Sequence, residues 1–169
     1  MAGGPTDHDL IAAARAGDHA AFERLYRRHR DWAVAVALRF CGNREDALDA
    51  AQEAFLYVLR KLPKLTLTAR FTTFLYPALK HLALDRRRKA RRHPPLDGAA
   101  EPTHLPAFGA GIEDLLEGLS ALQREILGLR FTDGLDLNAI AEALGIPLGT
   151  VKSRLHNALK ALKEKHREE

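Results

Sequence analysis

"LNAIAEALGIPLGTVKSRLHNALKAL", residues 137–162, holds two apolar periods separated by a glycine and a proline. Leu137, Ile140, Ala141 and Leu144 recur at helical spacing, and Gly145 follows them where a helix end favours positive φ. Pro147 to Thr150 restarts a second helix, whose Val151, Leu155, Ala158 and Leu162 fall on one side. Ala141 is small where the two helices would cross. The pattern predicts a helix-turn-helix. The other side of the second helix presents Lys152, Ser153, His156, Asn157 and Lys160, with Thr150 and Arg154 joining the set. A helix in a DNA major groove needs such a face: cations for phosphates, and short polar side chains for base edges. The plainer alternative is an amphipathic helix with a solvated basic face.

Upstream, the composition changes sharply. "HPPLDGAAEPTHLPAFGAG", residues 93–111, sets Pro94, Pro95, Pro102 and Pro106 among glycines and alanines without a periodic apolar face, so a flexible linker is expected. It divides a first domain, 1–92, from a second, 112–169. Ile112, Leu115, Leu116, Leu119 and Leu122 predict one helix of the second domain, and Ile126, Leu127 and Leu129 another.

In the first domain, Asp7 or Thr6 can cap a helix over "DLIAAARA", which Gly17 ends. Asp18 can cap a long helix striped by Phe22, Leu25, Tyr26, Trp32, Ala33, Val36 and Phe40, and Gly42 stops it. Asn43 with Asp46 resembles a capping box with a shortened acid, opening a helix through Ala47, Ala50, Ala51, Ala54, Phe55 and Val58 that ends at Pro63. Phe71, Phe74, Leu75, Ala78, Leu79 and Leu82 predict a further helix. Pro77 lies within that pattern, so the helix either starts late enough to hold it in the first turn or is kinked there. No alternating strand pattern is present. The expectation is an all-α protein: two small helical domains joined by a flexible linker, the second containing a helix-turn-helix.

Composition narrows the function. With 46% hydrophobic and 28% charged residues the chain reads as folded rather than disordered. No apolar run approaches the ~20 residues that span a bilayer, so no membrane insertion of its own is expected. "MAGGPTDHDL" lacks a cationic region followed by an apolar core, and the lone Cys41 cannot form an internal disulfide, which together point to the cytoplasm. The net charge of +4 is modest, but the cations cluster, most densely in "DRRRKARR", residues 85–92. That clustering suits either an anionic partner such as nucleic acid or a solvated basic surface. The eight histidines lack metal-site spacing, no glycine loop for phosphate is present, and Cys41 precedes a helix-ending glycine, where burial is expected. No cofactor, metal or enzymatic activity is expected.

Two longer stretches carry a family resemblance. "GDHAAFERLYRRHRDWAVAVALRFCGNREDALDAAQEAFLYVLRKL" resembles region 2 of the bacterial extracytoplasmic-function (ECF) sigma factors, and "LSALQREILGLRFTDGLDLNAIAEALGIPLGTVKSRLHNALKAL" is similar to their region 4. Both domains, their order and their spacing agree. The resemblance implies a subunit that binds core RNA polymerase, through the β′ clamp helices and the β flap, and directs promoter-specific initiation. On the first domain it implies a polymerase-facing surface of Asp46, Leu48, Asp49, Gln52, Glu53, Phe55 and Leu59; helical spacing alone favours a solvated polar face, and only the resemblance reverses that preference. The segment "FTTFLYPALKHLALDRRRKARR" corresponds to the part that opens and captures the single-stranded −10 element, which implicates Phe71, Phe74, Lys80, His81, Arg86, Arg87 and Arg88. Stacking on aromatic rings and cations along the backbone are what single-strand capture requires. Phe71 and Phe74 can equally be core, and His81 a solvated residue. The family usually has tryptophan at the position of Phe74 and asparagine at that of His81. Region 4 would read the duplex −35 element through Thr150, Lys152, Ser153, Arg154, His156, Asn157 and Lys160. An anti-sigma factor is a further candidate partner. Two other readings compete: a helix-turn-helix regulator that binds duplex DNA without polymerase, and an interaction protein that binds polymerase or an antagonist but no promoter.

Overall fold

The computed structural model describes residues 4–92 and 116–167, all helix, turn or irregular chain with no strand among them. The chain divides into two compact units, Met1–Leu105 and Pro106–Glu169. The expected linker, 93–111, and the helix positions Ile112 and Leu115 lie outside the described residues.

The first unit contains α1 (Asp7–Arg15), α2 (His19–Cys41), α3 (Arg44–Lys61) and α4 (Phe71–Arg92), with a short 3-10 turn at Leu62–Lys64. Local chemistry sets their ends. Thr6, not Asp7, caps α1, in a capping box completed by Asp9. Asp18 accepts from the Ala21 amide to open α2, and Gly42, at φ 85°, closes it. Asn43 caps α3, but its exchange with Asp46 differs from the expected box. The Asn43 side-chain amide donates to the Asp46 carboxylate at 2.6 Å while Asn43 Oδ1 accepts from the Asp46 amide at 2.8 Å.

Alanines make the first core thin. Ala37, Cys41, Ala47, Ala50 and Ala83 form one cluster among α2, α3 and α4, and such small side chains let three helices approach closely. Larger buried groups fill the rest: Leu10, Leu25, Val36, Val58, Phe71, Leu75, Tyr76 and Leu79. Cys41 is part of this core; its Sγ donates to the Ala37 carbonyl at 3.1 Å, and burial raises its pKa, so the thiol stays protonated.

The second unit contains α5 (Ala121–Leu127), a π turn (Gly128–Thr132), α6 (Leu137–Leu144) and α7 (Leu148–Arg167). Here the expected helix through Leu122 is corrected. Gly118 takes φ 87°, and Ser120 then caps α5 in a box with Gln123, so Leu122 belongs to the next helix. Leu116, Leu119 and Leu127 pack with Ala158, and Leu155 and Leu162 close over them. Asp136 caps α6 and Gly145, at φ 63° and ψ 34°, ends it before Pro147 leads into α7. The helix-turn-helix of the sequence is therefore present, with Ile140 and Ala143 of α6 and Val151 of α7 buried.

Candidate functional site

The residues singled out in the sequence fall on three surfaces, with Phe55 and Phe71 drawn into the core. The first lies on α3. Leu48, Leu56 and Leu59 are exposed at 41%, 52% and 42%, and Gln52 is exposed between them. Residues 48, 52, 56 and 59 follow one another at helical spacing, so they form a single stripe. Leu56 was absent from the expected set, although its position eight residues after Leu48 was visible. Phe55 does not belong to the stripe. It is 3% exposed, meets Tyr26 edge-on at 4.9 Å and lies 6.2 Å from Phe71, so the first-domain core holds it. Beside the stripe runs a groove of about 500 Å³, walled by Tyr26, Arg30, Asp31, Val34 and Leu38 of α2 and by Arg44, Leu48 and Gln52 of α3. Of the α2 wall only Tyr26 stands out in the sequence, as part of the core stripe; Arg30, Asp31, Val34 and Leu38 carry no signal of their own until α3 is placed beside them.

Asp46, Asp49 and Glu53, the acidic members, are already engaged. Asp46 is half-buried and takes part in capping α3. Asp49 and Glu53 both meet Arg86 of α4, at 3.0 Å and 3.3 Å.

The second surface is α4, where the expected single-strand residues separate into two groups. Phe71 is fully buried, packed against Phe55 and tilted on the His29 ring at 4.9 Å. It is therefore corrected from a base-facing residue to a core residue: stacking on a base would require unpacking it. Phe74 is half-buried and faces Tyr57 nearly parallel at 6.3 Å, with the Lys61 ammonium 5.7 Å over the Tyr57 ring. The Lys80 ammonium sits 5.7 Å over the Phe40 ring. Phe74, Pro77, His81, Arg88 and Arg92 succeed one another along the outer side, all but Phe74 exposed. Arg88 hydrogen-bonds Asp85, which holds that carboxyl below its usual range. Arg87 is half-buried. Arg86 departs from the basic run altogether, turned to the α3 carboxylates and only 28% exposed.

Pro77 sits well inside α4, six residues past its start, so the late-starting alternative is excluded. Helix register survives because packing of Phe71, Leu75 and Leu79 outweighs the one missing hydrogen bond.

The third surface is the outer side of α7. Lys152, Ser153, Arg154, His156, Asn157 and Lys160 are exposed, Thr150 is half-buried, and Val151 and Ala158 are fully buried opposite them. Ser153 Oγ donates to the Thr150 carbonyl at 3.1 Å, which leaves its lone pairs as acceptors. Lys160 is loosely paired with Glu164 at 3.9 Å. Phe131, on the π turn, is 62% exposed, the most exposed large apolar side chain among the described residues, and was missed because its neighbours Leu127 and Leu129 suggested core.

Comparison with known proteins gives the surfaces a context. The family model for sigma-70 region 2 matches residues 25–93, and that for sigma-70 region 4 matches residues 115–164. The chain is 30% identical to the ECF RNA polymerase sigma factor SigW of Bacillus subtilis, over 94% of this chain and 95% of that protein. It is 32% identical to the ECF RNA polymerase sigma factor SigM of Mycobacterium tuberculosis, over 90% of this chain and 81% of that one. Among solved structures, CnrH in complex with the cytosolic domain of CnrY shares the fold at a TM-score of 0.69 and 24% identity, covering 96% of this chain and 98% of that one. The sigma factor RpoE of Bartonella quintana, solved with the anti-sigma factor NepR, does so at 0.62 and 22%, covering 85% and 94%.

Proposed function

The chain belongs to the ECF group of RNA polymerase sigma factors, binding core RNA polymerase and promoter DNA to start transcription, and we propose how its surfaces divide that work. The α3 stripe of Leu48, Gln52, Leu56 and Leu59, with Asp49 and Glu53 at its edge, meets the β′ clamp helices. Apolar side chains at its centre hold the contact, and the carboxylates steer it. The outer side of α4, from Phe74 through His81 to Arg88, receives the single-stranded −10 element. The outer side of α7 reads the duplex −35 element, with Lys152, Ser153, His156 and Asn157 toward bases and Lys160 toward phosphate. Phe131 is the contact for the β flap. The protein works in the cytoplasm, catalyses no step itself, and is held in check by an anti-sigma factor, the kind of partner with which the Bartonella factor was solved.

The observation that carries this division is the exposed leucine stripe on α3. A regulator that only bound duplex DNA through its helix-turn-helix would have no use for an apolar stripe on its other unit. Reconstituted transcription tests it. Core enzyme with this chain initiates at a cognate promoter and core alone does not; duplex binding without initiation would return the helix-turn-helix regulator.

A further inference from the structure

Arg86 stands second in the run "DRRRKARR", where the sequence groups it with the DNA-binding cations. Its place on the helix says otherwise. It follows Leu79 by seven residues and Ala83 by three, and both are fully buried, so helical geometry aims it along the core-facing side of α4. Past Ala83 the core ends, and the guanidinium emerges against α3. There Nη1 donates to Asp49 Oδ2 at 3.0 Å and Nη2 to Glu53 Oε2 at 3.3 Å. Asp49 and Glu53 are one helical turn apart, and a planar guanidinium can bridge two such acceptors where a lysine ammonium would serve as a single point charge.

The consequences for the two carboxylates and for the arginine differ. Asp49 and Glu53 keep side-chain exposures of 51% and 46%, and each has an oxygen outside these two hydrogen bonds, so they remain open to a cationic partner. Arg86 is the least exposed of the three at 28%, and its Nε is buried. A phosphate could claim it only by leaving two carboxylates unpaired.

We propose that Arg86 is a positioning residue for polymerase binding and does not belong to the DNA-contacting cations: it fixes Asp49 and Glu53 in one geometry on α3 for core polymerase to engage. Part of this rests on the reading of α3 as the polymerase-facing helix; the exclusion from DNA does not. Fixing both side chains in the free protein removes a rotamer cost that association would otherwise carry. The basic run thereby splits by helical phase: Arg88 and Arg92 outward to nucleic acid, Arg86 inward to the acidic pair.

Two measurements on the full chain test it. In the first, a labelled oligothymidylate is titrated by anisotropy across a salt series, with no polymerase present. Arg86→Gln keeps the salt slope of the parent, while Arg88→Gln lowers it by about 0.7, one phosphate contact on a single strand. A comparable fall for Arg86→Gln overturns the proposal. In the second, labelled core polymerase is titrated in a double-mutant cycle. Arg86→Gln weakens core binding about 3- to 10-fold in the parent background. It costs nothing further in an Asp49→Asn/Glu53→Gln background. Arg86→Lys, which keeps the charge and most of the stem, fails to restore core affinity because it cannot bridge both acids. Equal losses in both backgrounds, or full rescue by lysine, overturn the positioning role. If the Asp49→Asn/Glu53→Gln pair leaves core affinity untouched, the polymerase-facing reading of α3 has failed and the positioning role falls with it; the oligothymidylate series still decides whether Arg86 belongs to DNA.

Discussion

Replacing Leu56 with alanine isolates the apolar part of the proposed polymerase contact. Leu56 is 52% exposed, so about half of its surface is left for a partner to cover. Burying a whole leucine side chain is worth about 1.5–3 kcal/mol, which puts the remaining half near 0.8–1.5 kcal/mol and the loss in core affinity at about 4- to 12-fold. The fold should be little affected, because the side chain is outside the core and alanine is the better helix former. Titration of labelled core enzyme with the variant measures the loss, and a thermal melt checks that α3 is intact. Leu48→Ala and Leu59→Ala, at 41% and 42% exposure, should give smaller losses of the same kind. An intact Leu56→Ala protein that binds core as tightly as the parent would refute the stripe as the contact.

Phe71→Ala should cost about 3–5 kcal/mol in denaturant unfolding, the range for emptying a buried phenylalanine site, whereas the half-buried Phe74→Ala should cost clearly less. On α7, Asn157→Ala should relax preference at one −35 position in a binding-site selection, by about 1–3 kcal/mol of discrimination. Lys160→Ala should weaken all duplex sequences alike and lower the salt slope by about one unit. Asp7, bonded to His29 at 2.9 Å and to Arg28 at 2.7 Å, joins α1 to α2; burial pushes its pKa up, but those two bonds outweigh it and hold the pKa below the ordinary 3.8. The folded form therefore binds fewer protons than the unfolded one, so this contribution is full above pH 3.8 and fades as pH falls through the lower folded value; Asp7→Asn should lose that part of the acid transition in a pH-melt series.

Helix ends were the most legible feature of this sequence, since Asp18, Asn43, Gly42 and Gly145 each act through their own backbone and nearest neighbours. The helix-turn-helix was legible for the same reason, with Val151 and Ala158 facing inward and the polar set outward. What failed was assignment between neighbouring helical phases. Phe55 and Leu56 are adjacent, one in the core and one exposed, and both are plausible in either place until α2 and α4 are present to cover one of them. Phe71 likewise could not be assigned from α4 alone, because Phe55 and His29 that enclose it come from other helices. Leu122 was lost to Gly118, whose positive φ ends one helix where the leucine spacing continued unbroken.

Pro77 shows how packing and function meet on one helix. Proline donates no amide hydrogen, so the carbonyl of Thr73, one turn earlier, lacks its usual helical donor; the Thr73 hydroxyl is also buried without a partner. The helical ladder of α4 therefore lacks one bond across Thr73–Pro77, in the segment that leads from Phe74 toward His81. What keeps that segment helical is the inner side, where Phe71, Leu75 and Leu79 are fully buried. On the outer side Pro77 is exposed between the aromatic ring and the imidazole proposed to receive the melted strand. Proline fixes φ and offers no donor of its own, so it adds no competing polar group there. Base recognition on this side must come from Phe74, His81 and the cations that follow. Since the backbone there is held by tertiary packing, a substitution in the inner row, such as Leu75→Ala, would loosen the platform and the core together.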